Sequence, residues 1–288
     1  MKKEIKGDWL YTISSKRSVF SLNFKEIWSY RDLLFLFVKR DIITVYKQTI
    51  LGPLWYVIQP LFTSVIFTLV FNNLGQIKTG TVNPFLFNLA GITLWNYFKE
   101  CLTGTSNTFT KNQNIFGKVY FPRAIMPMSV TFSNLLKFVI QLCIFFGFYT
   151  YFFISGDNLS LSPMVLLLPV YVIMMALLGL GFGMILSAMT TKYRDLTVLV
   201  GFGVQLLMYV SAVPYPVSEA RLKFPDWVVP FVEFNPLTQL IEGFRYILLN
   251  TGEINLKSFI YTFLLSLFTF LLGLVVFNRT EKQFIDTV

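Results

Sequence analysis

The chain has 288 residues, of which 55% are hydrophobic, 18% are aromatic and only 14% are charged. This composition is typical of an integral membrane protein and leaves little chain for a soluble domain. The net charge of +9 therefore does not indicate nucleic-acid binding, which would need a basic and aromatic soluble surface. The chain has no histidine and its two cysteines lie in apolar runs, so zinc sites, disulfides and histidine catalysis are not expected.

The N-terminal part of the chain reads as two segments. Residues 1–30 mix basic and polar side chains without a continuous apolar core, so they are predicted to be a cytoplasmic segment and not a cleavable signal peptide. Residues 31–50 are predicted to form an amphipathic helix on the membrane surface, which ends at Gly52 and Pro53. The residues predicted for its apolar face are Leu34, Phe35, Val38, Ile42, Val45 and Tyr46.

Residues 31–288 are predicted to form one all-α transmembrane domain with six membrane-spanning helices. Lysines and arginines are concentrated before the first span, after the last, and in the loops that follow spans two and four. The positive-inside bias therefore places both termini in the cytoplasm. The predicted spans are residues 54–74, 85–106, 131–154, 164–188, 196–214 and 258–277.

Two connections differ from plain turns. The cytoplasmic segment 111–127 alternates charged and aromatic residues, and it either lies on lipid headgroups or docks to a cytoplasmic partner. The outer segment 214–255 holds two apolar pieces that are too short to span the membrane, 227–231 and 237–249. Asn235 followed by Pro236 predicts the start of a helix, interfacial or re-entrant, on which Glu242 and Arg245 share a face and pair.

The charged and small residues inside the spans are assigned structural roles. Lys99, Glu100 and Lys137 are interpreted as side chains that reach back to the cytoplasmic interface. Gly179 and Gly183 predict a close helix approach within the chain. The sequence holds no phosphate-binding GxxxxGK[ST] loop, so ATP hydrolysis is expected only in a separate protein.

An ordered set of short motifs resembles the permease subunits of ABC-2 type polysaccharide exporters, a family that serves O-antigen, capsule and teichoic acid export. The resemblance covers nearly everything after residue 25. The motifs are Tyr46 to Trp55 with Gln59-Pro60, Lys118 to Arg123 with Pro127, Tyr193-Arg194-Asp195, Pro214 to Pro216, Asn235 to Leu237 with Glu242 to Arg245, and Glu281, Phe284 and Asp286.

The resemblance implies a permease and not an enzyme, in a bacterial inner membrane. It implies a homodimer with two copies of an ATP-binding subunit that holds ATP and Mg²⁺, so this chain needs no cofactor. The exported substrate would be a lipid-linked or growing polysaccharide. Two alternatives stay open: a drug or lipid exporter permease of the same superfamily, since fold does not fix substrate, and a membrane-embedded sugar-transfer enzyme. The second lacks convergent acidic residues.

The resemblance also implies roles for two groups of residues, and the short apolar pieces of the outer segment indicate a role for a third group. The segment 111–127 resembles the coupling helix that docks to the ATPase, with Lys118, Tyr120, Phe121, Pro122 and Arg123 as the contact residues. The helix at 31–50 resembles the gate helix of the family, where four cations are expected to meet lipid phosphates: Arg31, Lys39, Arg40 and Lys47. Four aromatic residues of the outer segment are expected near the outer mouth of a channel: Trp227, Phe231, Phe244 and Tyr246.

Overall fold

The computed structural model describes residues 24–47, 52–116, 121–193, 195–252 and 254–285. Within these ranges all regular secondary structure is helical. The helices are α1 (Phe24–Ser29), α2 (Arg31–Lys47), α3 (Trp55–Phe67), α4 (Pro84–Ser106), α5 (Thr108–Phe116), α6 (Ile125–Ile154), α7 (Leu168–Lys192), α8 (Leu196–Val210), α9 (Val217–Lys223), α10 (Val229–Glu233), α11 (Pro236–Leu249) and α12 (Leu256–Ile285). Short 3₁₀ turns at Gly52–Leu54 and Pro163–Leu167 precede α3 and α7.

Helix α4 is the centre of the bundle. Its side chains are buried along nearly the whole length of the helix, and α3, α6, α7 and α11 pack around it. Asn83 caps its first turn, because the side-chain oxygen accepts from the backbone N–H of Phe85 and Pro84 occupies the first helical position. Asn88 and Thr93 of α4 are therefore held inside the protein, whereas Asn96, Lys99 and Glu100 are half-buried.

Glycines bring α7 close to two neighbouring helices. A Cβ on Gly179 would stand 2.9 Å from Cβ of Cys101, and one on Gly183 would stand 2.6 Å from Cβ of Thr105, so both glycines face α4. On the other side, Gly181 and Gly273 bring α7 into backbone contact with α12. The predicted small-residue contact thus lies within one chain, and α7 is sandwiched between α4 and α12.

The outer end of the first apolar run departs from a regular α-helix. After Phe67 the chain continues as a π-helix over Thr68–Leu74. Asn88 of α4 donates to the Thr68 hydroxyl at 3.1 Å and to the Asn72 side-chain oxygen at 2.9 Å. These bonds fix the π-helical turns to the central helix.

Four of the six predicted spans are helices long and apolar enough to cross a membrane, and the other two are not. Among the described residues, four helical stretches are long and apolar enough to cross a membrane: Trp55–Leu74, Ile125–Ile154, Pro163–Lys192 and Leu256–Thr280. The second predicted span matches α4, which has 23 residues but is less apolar because it carries Asn88, Asn96, Lys99 and Glu100. The fifth matches α8, which ends at Val210 and has only 15 residues, roughly 22 Å of helix.

The outer segment forms three short helices, α9 to α11, before the last span. The predicted helix start is confirmed, because the Asn235 side-chain oxygen accepts from the backbone N–H of Leu237 at 3.0 Å and Pro236 occupies the first turn. Helix α11 ends at Asn250 in the left-handed conformation, with φ of 53°. Ten of its 14 residues are buried, so α11 packs into the bundle and does not lie on its surface.

Candidate functional site

At the end of the bundle that carries α9 to α11, several helices meet at Arg245 of α11. Its side chain is fully buried, with 0% exposure, and its guanidinium stacks over the Phe87 ring at 3.7 Å from the ring centroid. Nε donates to the Phe87 carbonyl oxygen at 3.3 Å, Nη1 donates to the Ala212 carbonyl oxygen at 2.9 Å, and Nη2 donates to the Val213 carbonyl oxygen. One side chain therefore connects α11, α4 and the turn after α8.

The predicted pair between Glu242 and Arg245 is present, with Nη1 and the carboxylate oxygen 3.2 Å apart. Gly91 of α4 makes room for the guanidinium, since any side chain at that position would collide with it. Gly243 likewise lets the Tyr171 ring of α7 lie against α11. The arrangement is a packed and charge-paired junction. It has no nucleophile or second acid with which to do chemistry.

The four aromatic residues predicted for the outer mouth lie in different surroundings. Trp227 is 72% exposed and Phe231 is 68% exposed, while Tyr246 is half-buried. Phe244 is 0% exposed and its ring centroid lies 6.2 Å from that of Phe138 on α6. The assignment of Phe244 to the mouth is therefore wrong, because a ring enclosed by the core of its own chain cannot line a channel.

Helix α2 is present over Arg31–Lys47, while residues 48–51 lie outside the described ranges, and its place on the membrane surface stays a prediction. The side chain that anchors it is Phe37, which is buried, and not Phe35, which is exposed. Phe35 belongs to the predicted apolar face and is exposed, so the prediction that this face meets the membrane stays a prediction.

Three of the four cations assigned to the surface helix are exposed: Arg31, Lys39 and Lys47. The fourth, Arg40, is half-buried, and its Nη2 lies 2.7 Å from the Asp41 carboxylate. The Arg40 guanidinium also lies 4.9 Å from the centroid of the Phe37 ring. Arg40 is thus held against the protein, and the other three point toward the surroundings.

The segment 111–127, predicted to be cytoplasmic, includes the end of α5 and, after residues 117–120, which lie outside the described ranges, residues 121–127, which lead into α6. Phe121 is 4% exposed and Arg123 is 8% exposed, whereas Pro122 is half-buried. Lys118 and Tyr120 lie outside the described residues. The Phe121 ring packs against Phe37, with the centroids 5.8 Å apart. The segment is therefore in direct contact with α2.

The charges inside the spans form a pair that sequence reasoning did not identify. Nζ of Lys137 on α6 lies 3.5 Å from the Glu100 carboxylate on α4, and it also lies 5.2 Å from the centroid of the Tyr56 ring on α3. A repeated helical spacing could have identified this face of α6, because Asn134, Lys137 and Gln141 fall three and four residues apart. Lys137 and Glu100 thus join three helices.

Among the described residues, no group of three or more cysteine, aspartate or glutamate side chains is placed to hold a metal ion. The helical bundle, the surface helix and the packed outer junction define an all-helical integral membrane protein whose polar contacts hold its helices together. The family model for the ABC-2 type transporter matches residues 32–249, and the chain belongs to that family.

Three relatives are similar to the chain over most of their length. Two O-antigen export system permease proteins RfbA from Klebsiella pneumoniae are 26% and 27% identical over 255 residues, which are 88% of this chain and 94% of each relative. An O-antigen export system permease protein RfbA from Myxococcus xanthus is 25% identical over 225 residues, which are 77% of this chain and 82% of the relative.

Proposed function

We propose that the chain is the permease subunit of an ATP-driven exporter that carries a lipid-linked polysaccharide, such as O-antigen, across the bacterial inner membrane. The observation that carries this proposal is the match to an O-antigen export permease over 88% of the chain and 94% of the relative. Because the two chains match over nearly their whole lengths, the similarity is not confined to one segment of the fold. The permease works as a homodimer with a channel at the interface, together with two copies of a cytoplasmic ATP-binding subunit.

The proposed topology has six spans and both termini in the cytoplasm. Four spans are the long apolar helices, and the other two are α4 and α8. Neighbouring helices bury most of α4, so few of its side chains meet lipid. Helix α8 reaches the outer surface through the chain that follows it, where Tyr215 donates from its hydroxyl to the Tyr209 carbonyl oxygen at 2.6 Å.

The contact between Phe37 and Phe121 supports a route for coupling. In the proposed mechanism the ATPase docks on the segment 111–127, with Lys118 and Tyr120 as its contacts, while Phe121 and Arg123 hold the segment against the bundle. Nucleotide-driven movement of the segment then reaches α2 through the two packed rings. Lipid phosphates meet the exposed cations of α2, which attract such anions at a membrane surface.

Export is tested in a strain that lacks the chromosomal copy of this gene. The wild-type chain should restore polysaccharide on the cell surface. Without the chain, lipid-linked polysaccharide should remain on the cytoplasmic side of the inner membrane. A strain that keeps normal surface polysaccharide without the gene would refute polysaccharide export and favour a drug or lipid exporter of the same superfamily.

The docking step is tested separately by replacing Lys118 and Tyr120 with alanine together. Truncating a true interface anchor costs about 2 kcal/mol or more, so the ATPase should no longer co-purify with the solubilised permease. An Asn158→Ala variant, altered in a loop on the opposite side, is the control and should retain the ATPase. Full recovery of the ATPase with the double variant would refute docking at this segment.

A further inference from the structure

The chain after α3 is wound in an uncommon way. Residues Thr68–Leu74 form a π-helix, in which a backbone N–H donates to the carbonyl oxygen five residues earlier instead of four. The run closes with such a bond, from the N–H of Gly75 to the Val70 carbonyl oxygen at 2.9 Å. π-Helical turns are rare, appear mostly as single turns and are frequent at functional sites. This run of seven residues, the π segment, therefore needs something to hold it.

Packing contributes little to holding the π segment. Pro60, Ser64 and Phe67 of α3 are buried, whereas none of the seven residues of the π segment is. Leu69 is 51% exposed and Leu74 is 79% exposed. The π segment can therefore rotate with little loss of buried area, while the rest of α3 is fixed in the bundle.

The contact that holds the π segment is a buried carboxamide of α4. Asn88 is 0% exposed, and its Nδ2 donates to the Thr68 hydroxyl at 3.1 Å and to Oδ1 of Asn72 at 2.9 Å. Its own oxygen is buried without a hydrogen-bond partner within the described part of the chain, which is costly. Two bonds thus favour the π form and one unsatisfied group opposes it, a balance suited to an element with two states.

The residues that end the π segment are adapted to it. A Cβ on Gly75 would stand 2.8 Å from the Phe71 carbonyl oxygen, so a larger residue would disturb the last π-helical turn. Gln76 follows in the left-handed conformation, with φ of 51°. Nζ of Lys223 on α9 donates to the Gln76 carbonyl oxygen at 2.9 Å. A rotation of the π segment therefore breaks a bond that holds α9.

Helix α4 connects the π segment to the segment 111–127. Asn88 lies near the start of α4 and Ser106 is its last residue, so the two are roughly 27 Å apart along the helix. Helix α5 begins at Thr108, directly after α4, and runs into the segment 111–127. A movement of that segment which displaces α4 thus also displaces Asn88 relative to Thr68 and Asn72.

We infer that the π segment is a register switch controlled by α4. While Asn88 bonds to both Thr68 and Asn72, the segment is π-helical; when α4 moves and a bond is lost, the segment closes into the commoner α-helix. Because an α-helix has fewer residues per turn, this closing rotates the end of the segment by about one residue, roughly 100°. The Gln76 carbonyl oxygen then leaves Lys223. The inference rests on the proposed function, in which the docked ATPase moves the segment 111–127.

Asn88→Leu tests the switch in the solubilised permease without nucleotide. Leucine is similar in size and removes both bonds, so the π segment should adopt the α form. Nitroxides at Leu74 and Ile154, both exposed, report the distance between the end of the π segment and the end of α6 by pulsed electron paramagnetic resonance. The labels are placed in a background without the native cysteines, and labelled subunits are diluted with unlabelled ones.

The expected displacement is large enough to measure. A rotation of roughly 100° carries a side chain at a radius of about 5–6 Å through roughly 8 Å, so the distance should change by several ångströms. Asn96→Leu, a half-buried asparagine of the same helix, is the matched control and should leave the distance unchanged.

Deletion of Leu69 tests whether the change is one of register. The deletion removes one residue from the π-helical turns, so the remaining residues close as an α-helix while Thr68 and Asn72 still share a face. The chain that follows keeps its place, so Asn88→Leu in the deletion background should no longer change the distance between the labels. Deletion of Val65, in the regular part of α3, is the control and should lower Tm by several degrees more than deletion of Leu69.

The Leu69 deletion also separates folding from export, because it removes one of the two forms. The variant should co-purify with the ATPase, which size-exclusion chromatography verifies, yet restore little or no polysaccharide on the cell surface. Normal export from this variant would overturn the inference, and so would a loss of Tm equal to that caused by deletion of Val65.

The distance measurements give three further outcomes that would overturn the inference: no change in Asn88→Leu, an equal change in Asn96→Leu, or a change by Asn88→Leu that persists in the deletion background. Failure of the proposed function has a different result, because the wild-type chain itself would then not restore surface polysaccharide. The distances need neither nucleotide nor substrate, so they report the register in either case.

Discussion

Replacing Arg245 with alanine should be among the most destabilising single changes in the outer half of the protein. The guanidinium makes three hydrogen bonds to carbonyl oxygens of Phe87, Ala212 and Val213, pairs with Glu242, and stacks on a ring. Alanine leaves those three acceptors without a donor and leaves the Glu242 carboxylate without its cationic partner. Removing one partner of a buried ion pair typically costs about 3–5 kcal/mol.

The change can be measured as a shift of the thermal unfolding midpoint in detergent. Since 1 kcal/mol corresponds to roughly 2–4 °C in a chain of this size, a loss of about 3 kcal/mol lowers Tm by roughly 6–12 °C. Arg245→Lys should recover little, because an ammonium cannot reach three separate carbonyl oxygens and also pair with Glu242. Glu242→Gln in the Arg245→Ala background should restore part of the loss by removing the stranded charge.

The matched control is Arg221→Ala. Arg221 of α9 pairs with Glu233 of α10 through a side chain that is 61% exposed, so its removal should cost no more than about 1 kcal/mol. If Arg245→Ala and Arg221→Ala lower Tm equally, the buried junction is not what holds α11, α4 and the turn after α8 together.

Three further predictions follow from the topology, the cytoplasmic segment and the helix contacts. In a background without the native cysteines, a cysteine at Asn158 should react with an impermeant thiol reagent in intact cells, while one at Thr287 should be protected; labelling at both would contradict the three spans predicted between them. Tyr120→Ala alone should lower ATPase co-purification by a measurable fraction in a pull-down, and an unchanged yield would remove Tyr120 as a contact. Gly273→Val should collide with the backbone of Gly181 and lower Tm by several degrees, whereas Gly147→Val, at an open position, should not; equal Tm values would mean that α7 and α12 separate easily.

The sequence predicted features that depend on neighbouring residues. The start of α11 is determined by two adjacent residues, Asn235 and Pro236. The pairing of Glu242 with Arg245 follows from a spacing of three residues on one helix. The other partners of Arg245 were not predictable, because Phe87 is 158 positions away and contributes a backbone oxygen that every residue type carries.

The same limit applies to the surface helix and to the membrane interior. An apolar stripe indicates which side of α2 avoids water, but lipid and protein satisfy that requirement equally, so Phe35 and Phe37 could not be distinguished. Glu100 and Lys137 were assigned to the interface one by one, since a single sequence does not show that α4 and α6 bring them within 3.5 Å. Phe244 was placed at a surface because aromatic residues suit either setting.

The enclosure of α4 has a consequence for how the protein is made. A charged residue at the centre of a membrane helix opposes insertion by about 2.5–3.5 kcal/mol and one nearer its end by less; α4 carries both Lys99 and Glu100 in its last third, in addition to its asparagines. We expect α4 to leave the insertion machinery only when α3 and α6 can receive it, with Asn88 meeting the π-helical turns of α3 and Glu100 meeting Lys137. The contacts that order the finished bundle would then also set the order of its assembly.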